Sequence, residues 1–130
     1  MPTSEVTLRR REAPARYVTV VLDGDRRGGG PRIAMKDCAA SVSVLGVGDE
    51  HREKYTAATW TGVCASGILY AARAGRVHDY EIRIRSIAGA LAVEDMDAVA
   101  TCGMLAAAEA LGLAGKPGPV MEGWERVGGR

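Results

Sequence analysis

The sequence predicts a single-domain, two-layer α+β sandwich: a roughly four-stranded, mostly antiparallel sheet with two helices on one face. Between Tyr80 and Arg85, apolar and charged residues alternate, which is typical of a strand with one apolar and one solvent-exposed face. From Glu94 to Leu111, apolar residues recur at helical spacing, which indicates an amphipathic helix. A sheet with one exposed face is normally antiparallel, and helices cover its other face.

Length and composition limit the class of protein. The chain has 130 residues, and we place one domain at residues 16–112, between an N-terminal arm (1–15) and an extended C-terminal tail (113–130). Charged residues make up 25% of the chain and the net charge is +1, which argues against a polybasic nucleic-acid-binding arm. No stretch has the length of a membrane span or the form of a secretory signal, so we expect no membrane partner.

Three segments predict the first strands, of which residues 16–22 are rich in β-branched side chains. Residues 16–22 form the first, and residues 32–36 form the second, which we expect to pair with the first as a hairpin. Residues 40–46 alternate serine with valine and form a third strand, or continue the second through a bulge near Asp37 and Cys38. With the later elements, the order is β-β-β-α-β-α.

A long helix is predicted from about Arg52 to Ala74, ending at Gly75. Its apolar side is rich in glycine and alanine, so we expect its backbone to lie close to the sheet. The tail has two large apolar groups, Met121 and Trp124, which we expect to pack on the domain surface or on a neighbouring subunit.

The stretch YTAATWTGVCASGILYAARAGRVHDYEIRIRS, followed by MDAVATCGMLAAAEA, resembles the helix, strand and helix of the second domain of ribosomal protein S5 and its relatives, including the fourth domain of elongation factor G. The resemblance covers about residues 16–112 and implies that fold. The sequence lacks a recognisable ribosome-contacting motif, so ribosome binding is not expected from it. A second resemblance links IAGALAVEDMDAVATCGMLAAAEA to bacterial microcompartment shell proteins, which have a longer strand there.

The three cysteines are an odd number without metal-ligand or redox spacing, so a disulfide framework is not expected. Cys64 and Cys102 fall on the apolar sides of the two helices, where cysteine usually packs as a small apolar residue. Reduced thiols without a signal or a membrane span indicate the cytoplasm.

The glycine-rich loop after the first strand is the candidate ligand-binding segment. Glycines expose backbone N–H groups and arginines bind phosphates or carboxylates, so the loop fits a small anionic ligand. The loop lacks a phosphate-binding consensus motif, and a mobile hairpin tip is the alternative interpretation. The candidate residues are Arg26, Arg27, Gly28, Gly29 and Gly30.

Catalytic candidates are Cys38, His51 and His78. Cys38 follows Lys36 at a strand break, where an ammonium group favours the thiolate. A buried structural thiol is the competing interpretation, and acidic residues beside His51 also suit a helix start. The two histidines lack metal-binding spacing, so neither a metal nor another cofactor is expected.

The exposed face of the fourth strand carries Glu81, Arg83 and Arg85. Such a mixed-charge face pairs with itself about a two-fold axis, or is simply solvated. It lacks aromatic residues for stacking on bases because Tyr80 points the other way, so we do not expect nucleic acid as a partner. With Trp124, these residues form the predicted interface of a homo-oligomer.

These features favour a non-catalytic binding or assembly module that self-associates through the exposed sheet face and the Arg26/Arg27 loop. The alternative is a small-molecule enzyme whose active site lies at a subunit interface and combines the cysteine, the histidines and the glycine loop.

Overall fold

The computed structural model describes residues 2–27, 29–46, 55–113 and 121–128. These residues form one sheet of six strands and two α-helices. The strands and helices are β1 (Thr3–Arg10), β2 (Ala13–Asp25), β3 (Pro31–Ala34), β4 (Ala39–Leu45), α1 (Ala57–Ala74), β5 (Tyr80–Ala92), α2 (Met96–Ala110) and β6 (Trp124–Val127). The α+β class is confirmed, whereas the sheet has six strands rather than four.

β5 lies one strand in from an edge of this sheet, whose order is β3-β5-β2-β1-β6 with β4 also paired to β5. It pairs antiparallel with β2 on one side and parallel with both β3 and β4 on the other. β1 lies outside β2, and β6 lies outside β1, both antiparallel to their neighbours. The predicted hairpin between the first and second strands is therefore wrong, because β5 lies between β2 and β3.

β3 and β4 follow one another along the same edge of β5. Ala34 is opposite Arg83 and Ala39 is opposite Ser86, so four edge residues stand opposite two residues of β5. The two additional edge residues are accommodated by a turn. In this turn the Cys38 N–H donates to the Met35 carbonyl oxygen at 3.2 Å. β3 and β4 are thus two separate strands joined by a turn, so the predicted third strand is observed and the bulged continuation is not.

Both ends of the chain belong to the sheet, which corrects the predicted arm and extended tail. Ser4, Val6 and Leu8 alternate along β1 and are buried, a period that the basic residues after them obscured. In β6, Trp124 is 2% exposed and packs in the core of its own chain. Trp124 is therefore not available to a neighbouring subunit, and this part of the predicted interface is wrong.

The predicted alternation in β5 is confirmed and is interrupted by one bulge. Ile82 and Ile84 are buried toward the helices, and Arg85 is then an extra residue in the pairing with β2. After it the phase changes, so that Ile87 and Leu91 are the buried residues. Arg85 thus lies on the exposed face, as predicted.

The two helices pack closely against each other. A Cβ placed on Gly67 of α1 would lie 1.8 Å from the Ala100 carbonyl oxygen of α2. A Cβ on Gly103 would lie 2.7 Å from the Cys64 sulfur. The small side of α1 therefore brings its backbone close to α2, whereas the sequence suggested close approach to the sheet.

A buried ion pair joins the beginning of β2 to the connection between β5 and α2. Asp95 is 2% exposed; its carboxylate accepts from Arg16 Nε at 2.7 Å, from Arg16 Nη2 and from the Ala92 N–H at 2.8 Å. Burial alone would raise the pKa of Asp95, but these hydrogen bonds lower it below its ordinary value. The sequence pattern gave no indication of this long-range pair.

Candidate functional site: the open face of the sheet

The face of the sheet opposite the helices is not covered by any of the described helices or strands. We call it the open face. At its centre, five residues from five strands lie in one row in register and carry no charge: Val127, Thr7, Thr19, Ala88 and Ser41. The hydroxyl oxygens of Thr7 and Thr19 are 2.7 Å apart and share a hydrogen bond. The centre of the open face is therefore composed of small side chains, without a long charged group.

A neighbouring row continues this small-residue surface. Tyr17 is opposite Ala90, and Ala90 is opposite Ser43. Tyr17 is 39% exposed and is the largest side chain in this part of the face. On the β6 side of this row, Arg9 Nη2 of β1 pairs with Glu125 of the outer strand β6 at 2.9 Å. Charged groups therefore lie at that side of the face.

One end of the open face is charged. The Asp23 carboxylate accepts a hydrogen bond from Thr3 Oγ1 at 2.7 Å and one from Arg85 Nη1 at 2.8 Å. The bond from Thr3, with the bond and charge of Arg85, outweighs burial and lowers the pKa of Asp23. Arg85 therefore already has a partner within its own chain.

Arg83 and Glu81 lie at this same end. Arg83 is opposite Asp23 and is exposed, whereas Glu81 is half-buried between Asp25 and Arg32. Within the described ranges, neither Arg83 nor Glu81 makes a salt bridge. The three charged residues predicted for an interface do share the open face, but they occupy one end of it.

The glycine-rich loop borders a cavity of about 310 Å³ beside this charged end. Arg27 Nε is held by Asp25 at 3.0 Å, while the rest of the Arg27 side chain is exposed. Arg26 is exposed and is not part of the cavity wall described, and Gly28 lies outside the described residues. The described wall consists of Arg27, Gly29, Gly30, Pro31, Arg32, Tyr80 and Glu81.

The catalytic candidates are not brought together within one chain. Cys38 immediately precedes Ala39, which pairs with Ser86, whereas His78 is exposed two residues before β5 begins. The distance from Tyr80 to Ser86 along β5 is about 20 Å at about 3.3 Å per residue, so the thiol and the imidazole are far apart. His51 lies outside the described residues.

Burial, opposed by a hydrogen bond from the Ile87 backbone, raises the pKa of the Cys38 thiol. The expected activation by Lys36 is therefore not supported, since burial outweighs any nearby ammonium. Cys64 and Cys102 are buried in the core as predicted, and the Cys102 thiol donates to the Val6 carbonyl oxygen at 3.0 Å. Burial raises the pKa of Cys102 to about 12.

The described residues contain no group of three or more histidine, cysteine, aspartate or glutamate side chains placed to hold a metal ion. None of the helices in these ranges has both the length and the apolar character needed to cross a membrane.

The sequence interpretation missed the uncharged centre of the open face. The signal was present, because Ser86, Ala88 and Ala90 alternate with Ile87 and Leu91 along β5. The bulge at Arg85 hides it, since it changes which residues of β5 face the solvent.

Comparison with known proteins gave no match, either to a protein-family model or to a curated protein.

Proposed function

We propose that this chain is a non-catalytic binding or assembly module that self-associates through the open face of its sheet. The observation that carries the proposal is the uncharged row of small side chains at the centre of that face. Small residues let two sheets approach closely, and an uncharged centre costs little to remove from water. The nearest charged residues on β1 and β6, Glu5, Arg9 and Glu125, lie in the rows on either side of this uncharged row, and the centre of most protein interfaces is likewise poor in charge.

The size of the open face suits such a contact. β2 and β5 have 13 residues each, so each is about 43 Å long, with neighbouring strands about 4.8 Å apart. With the shorter strands included, the face covers roughly 800 Å² in plan. A typical stable interface buries about 800 Å² on each partner, so face-to-face stacking of two copies reaches that size.

The charged end fits self-recognition because it carries both signs. Arg83 is exposed there without a salt bridge among the described residues, and Glu81 lies one row away. A two-fold contact presents the same surface from both copies, so a mixed-charge patch provides its own complement. A patch of one sign would repel itself instead.

The test is a matched pair of substitutions observed by size-exclusion chromatography with light scattering. Ala88→Arg places a long cation at the centre of the open face, whereas Ala58→Arg makes the same change on the exposed start of α1. We expect the wild type and Ala58→Arg to have the same mass, a multiple of 13.7 kDa, and Ala88→Arg to have a smaller mass because its open-face contact is lost. An oligomer that Ala88→Arg leaves intact would contradict the proposal.

The cavity beside the glycine-rich loop supports a second binding property, that of a small anionic ligand. Arg27 and Arg32 border it, and Gly29 and Gly30 offer backbone N–H groups. Titration with inorganic phosphate, followed by amide chemical shifts, should perturb Gly29 and Gly30, and Arg27→Ala with Arg32→Ala should abolish the response. Arg11→Ala, in the distant β1–β2 turn, is the control; an equal loss there would contradict a specific site.

We further propose the fold relationship to the second domain of ribosomal protein S5 and a cytoplasmic location. β2, β3, β4, α1, β5 and α2 follow one another in the predicted order β-β-β-α-β-α, which supports the first. All three cysteines are free, which supports a reducing compartment.

A further inference from the structure

The outer edge of β4 is the starting observation. β4 pairs with β5 on one side, and none of the strands in the described ranges pairs with its other side. Its seven residues, Ala39–Leu45, include no charge and no proline, and serine and alanine are exposed along it. An edge of this kind offers unpaired backbone groups to another strand.

The outer edges of β3 and β6 have features that hinder pairing with a strand of another chain. β3 has only four residues and begins with Pro31 and Arg32. β6 also has four residues, and its two charged residues are both in ion pairs, Glu125 with Arg9 and Arg126 with Glu109. Short, charged or proline-containing edges resist pairing, so β4 is distinguished from the rest of the described sheet boundary.

We propose that the β4 strands of two copies of this chain pair antiparallel about a two-fold axis, so that the sheet continues across both. All seven residues overlap only when the pairing is centred on Val42. In that register Ser41 lies opposite Ser43 of the other copy, and Ala40 lies opposite Val44. Opposite residues share a face, so the serines meet on the open face and the valines meet on the helix side.

A recess on the same strand fits this partner. A cavity of about 300 Å³ lies beside β4, and its described wall consists of Val42, Ser43, Val44 and Tyr55. Val42 and Val44 are only half-buried, although they pack against the core. Pairing about Val42 brings Val42 and Ala40 of the other copy to this recess, where they contact Val42 and Val44 of the first copy.

Edge pairing keeps both open faces on the same side of one continuous sheet, because its two-fold axis is perpendicular to the sheet. The contact deepens the proposed function and rests on it, since both require the chain to bind itself, but it uses a different surface. Stacking of open faces has its axis in the plane of the sheet. Two perpendicular axes allow a closed tetramer with both contacts.

The test is cysteine cross-linking in a Cys38→Ala background, where the remaining Cys64 and Cys102 are buried. Ser41→Cys protein labelled with ¹⁵N is mixed with unlabelled Ser43→Cys protein, oxidised mildly, and the dimers are identified by mass. Pairing centred on Val42 puts residues 41 and 43 opposite each other at a Cα separation of about 4.5–5.5 Å, which a disulfide spans. Ser66→Cys, exposed on α1, measures disulfides formed by random collision.

We expect the mixed disulfide to exceed both like-with-like disulfides and the Ser66→Cys control by at least about tenfold. Predominant Ser41→Cys or Ser43→Cys homodimers would overturn the register. Disulfide levels equal to the control would overturn edge pairing. If Ala88→Arg still lowers the mass in that case, the open-face contact stands without edge pairing. If the mixed disulfide forms while Ala88→Arg leaves the mass unchanged, edge pairing stands and the open-face contact is lost.

Discussion

Substitution of Gly67 by alanine tests whether the two helices are as close as the structure places them. A Cβ at this position would lie 1.8 Å from the Ala100 carbonyl oxygen, whereas carbon and oxygen normally approach to about 3.3 Å. The helices would have to separate by about 1.5 Å at their crossing. Because the opposing atom belongs to the backbone, no side-chain rotation relieves the contact.

The magnitude follows from two opposing effects. Alanine favours a helix interior over glycine by about 1 kcal/mol. Overpacking costs about 1–3 kcal/mol or more, and a clash between two backbones belongs at the upper end. We therefore expect Gly67→Ala to lower the free energy of unfolding by about 2 kcal/mol or more. Gly62→Ala, five residues earlier in α1 and facing open space, should raise it by about 1 kcal/mol.

Urea unfolding followed by circular dichroism, at one fixed protein concentration, measures both variants. The expected difference between them, about 3 kcal/mol, corresponds to roughly 10 °C in Tm for a chain of this size. Equal stabilities of Gly67→Ala and Gly62→Ala would refute the close helix crossing, because helix propensity alone would then determine both.

Two further predictions concern ionisation and thiol access. The pKa of Asp95 is lowered in the folded state, so its contribution to stability is complete above about pH 4 and is lost as the pH falls through the folded pKa. Asp95→Asn should therefore flatten the acid side of a curve of unfolding free energy against pH. An unchanged slope would contradict the pairing of Asp95 with Arg16. In a thiol assay at mildly alkaline pH, the half-buried Cys38 should react while Cys64 and Cys102 react only after denaturation, and native labelling of all three would contradict the core.

The sequence predicted the half of the fold in which hydrophobic period and element length agree. The first half of β5 and all of α2 each follow one period, so their type followed directly from the spacing of Ile82, Ile84 and the later apolar residues. The end of α1 was also predicted, and Gly75 follows its last helical residue. The predicted start at Arg52 lies outside the described residues, and Thr56 immediately precedes the observed helix.

Strand order could not be predicted from the same patterns. The period of a strand shows which residues are buried but not which strand lies beside it, so β3 was paired with β2 when β5 lies between them. β6 was missed because it has only four residues and depends on Trp124 and on long-range pairing with β1. Such pairings leave little trace in the local sequence.

The candidate site was found only in part. Charged residues draw attention in a sequence, so Arg83 and Arg85 were identified while the small residues between β2 and β4 were not. The row that includes Thr19, Ala88 and Ser41 exists only after three strands are placed in register. Whether this row is exposed depends on which face of the sheet the helices cover, and that is known only once the sheet is assembled.

Sedimentation equilibrium of the wild-type protein, over a range of concentrations and at low and high salt, tests self-association most directly. The account predicts a mass that is a multiple of 13.7 kDa and that persists at high salt, because the centre of the open face is uncharged and salt screens only its margins. A single species of 13.7 kDa at every concentration would contradict it.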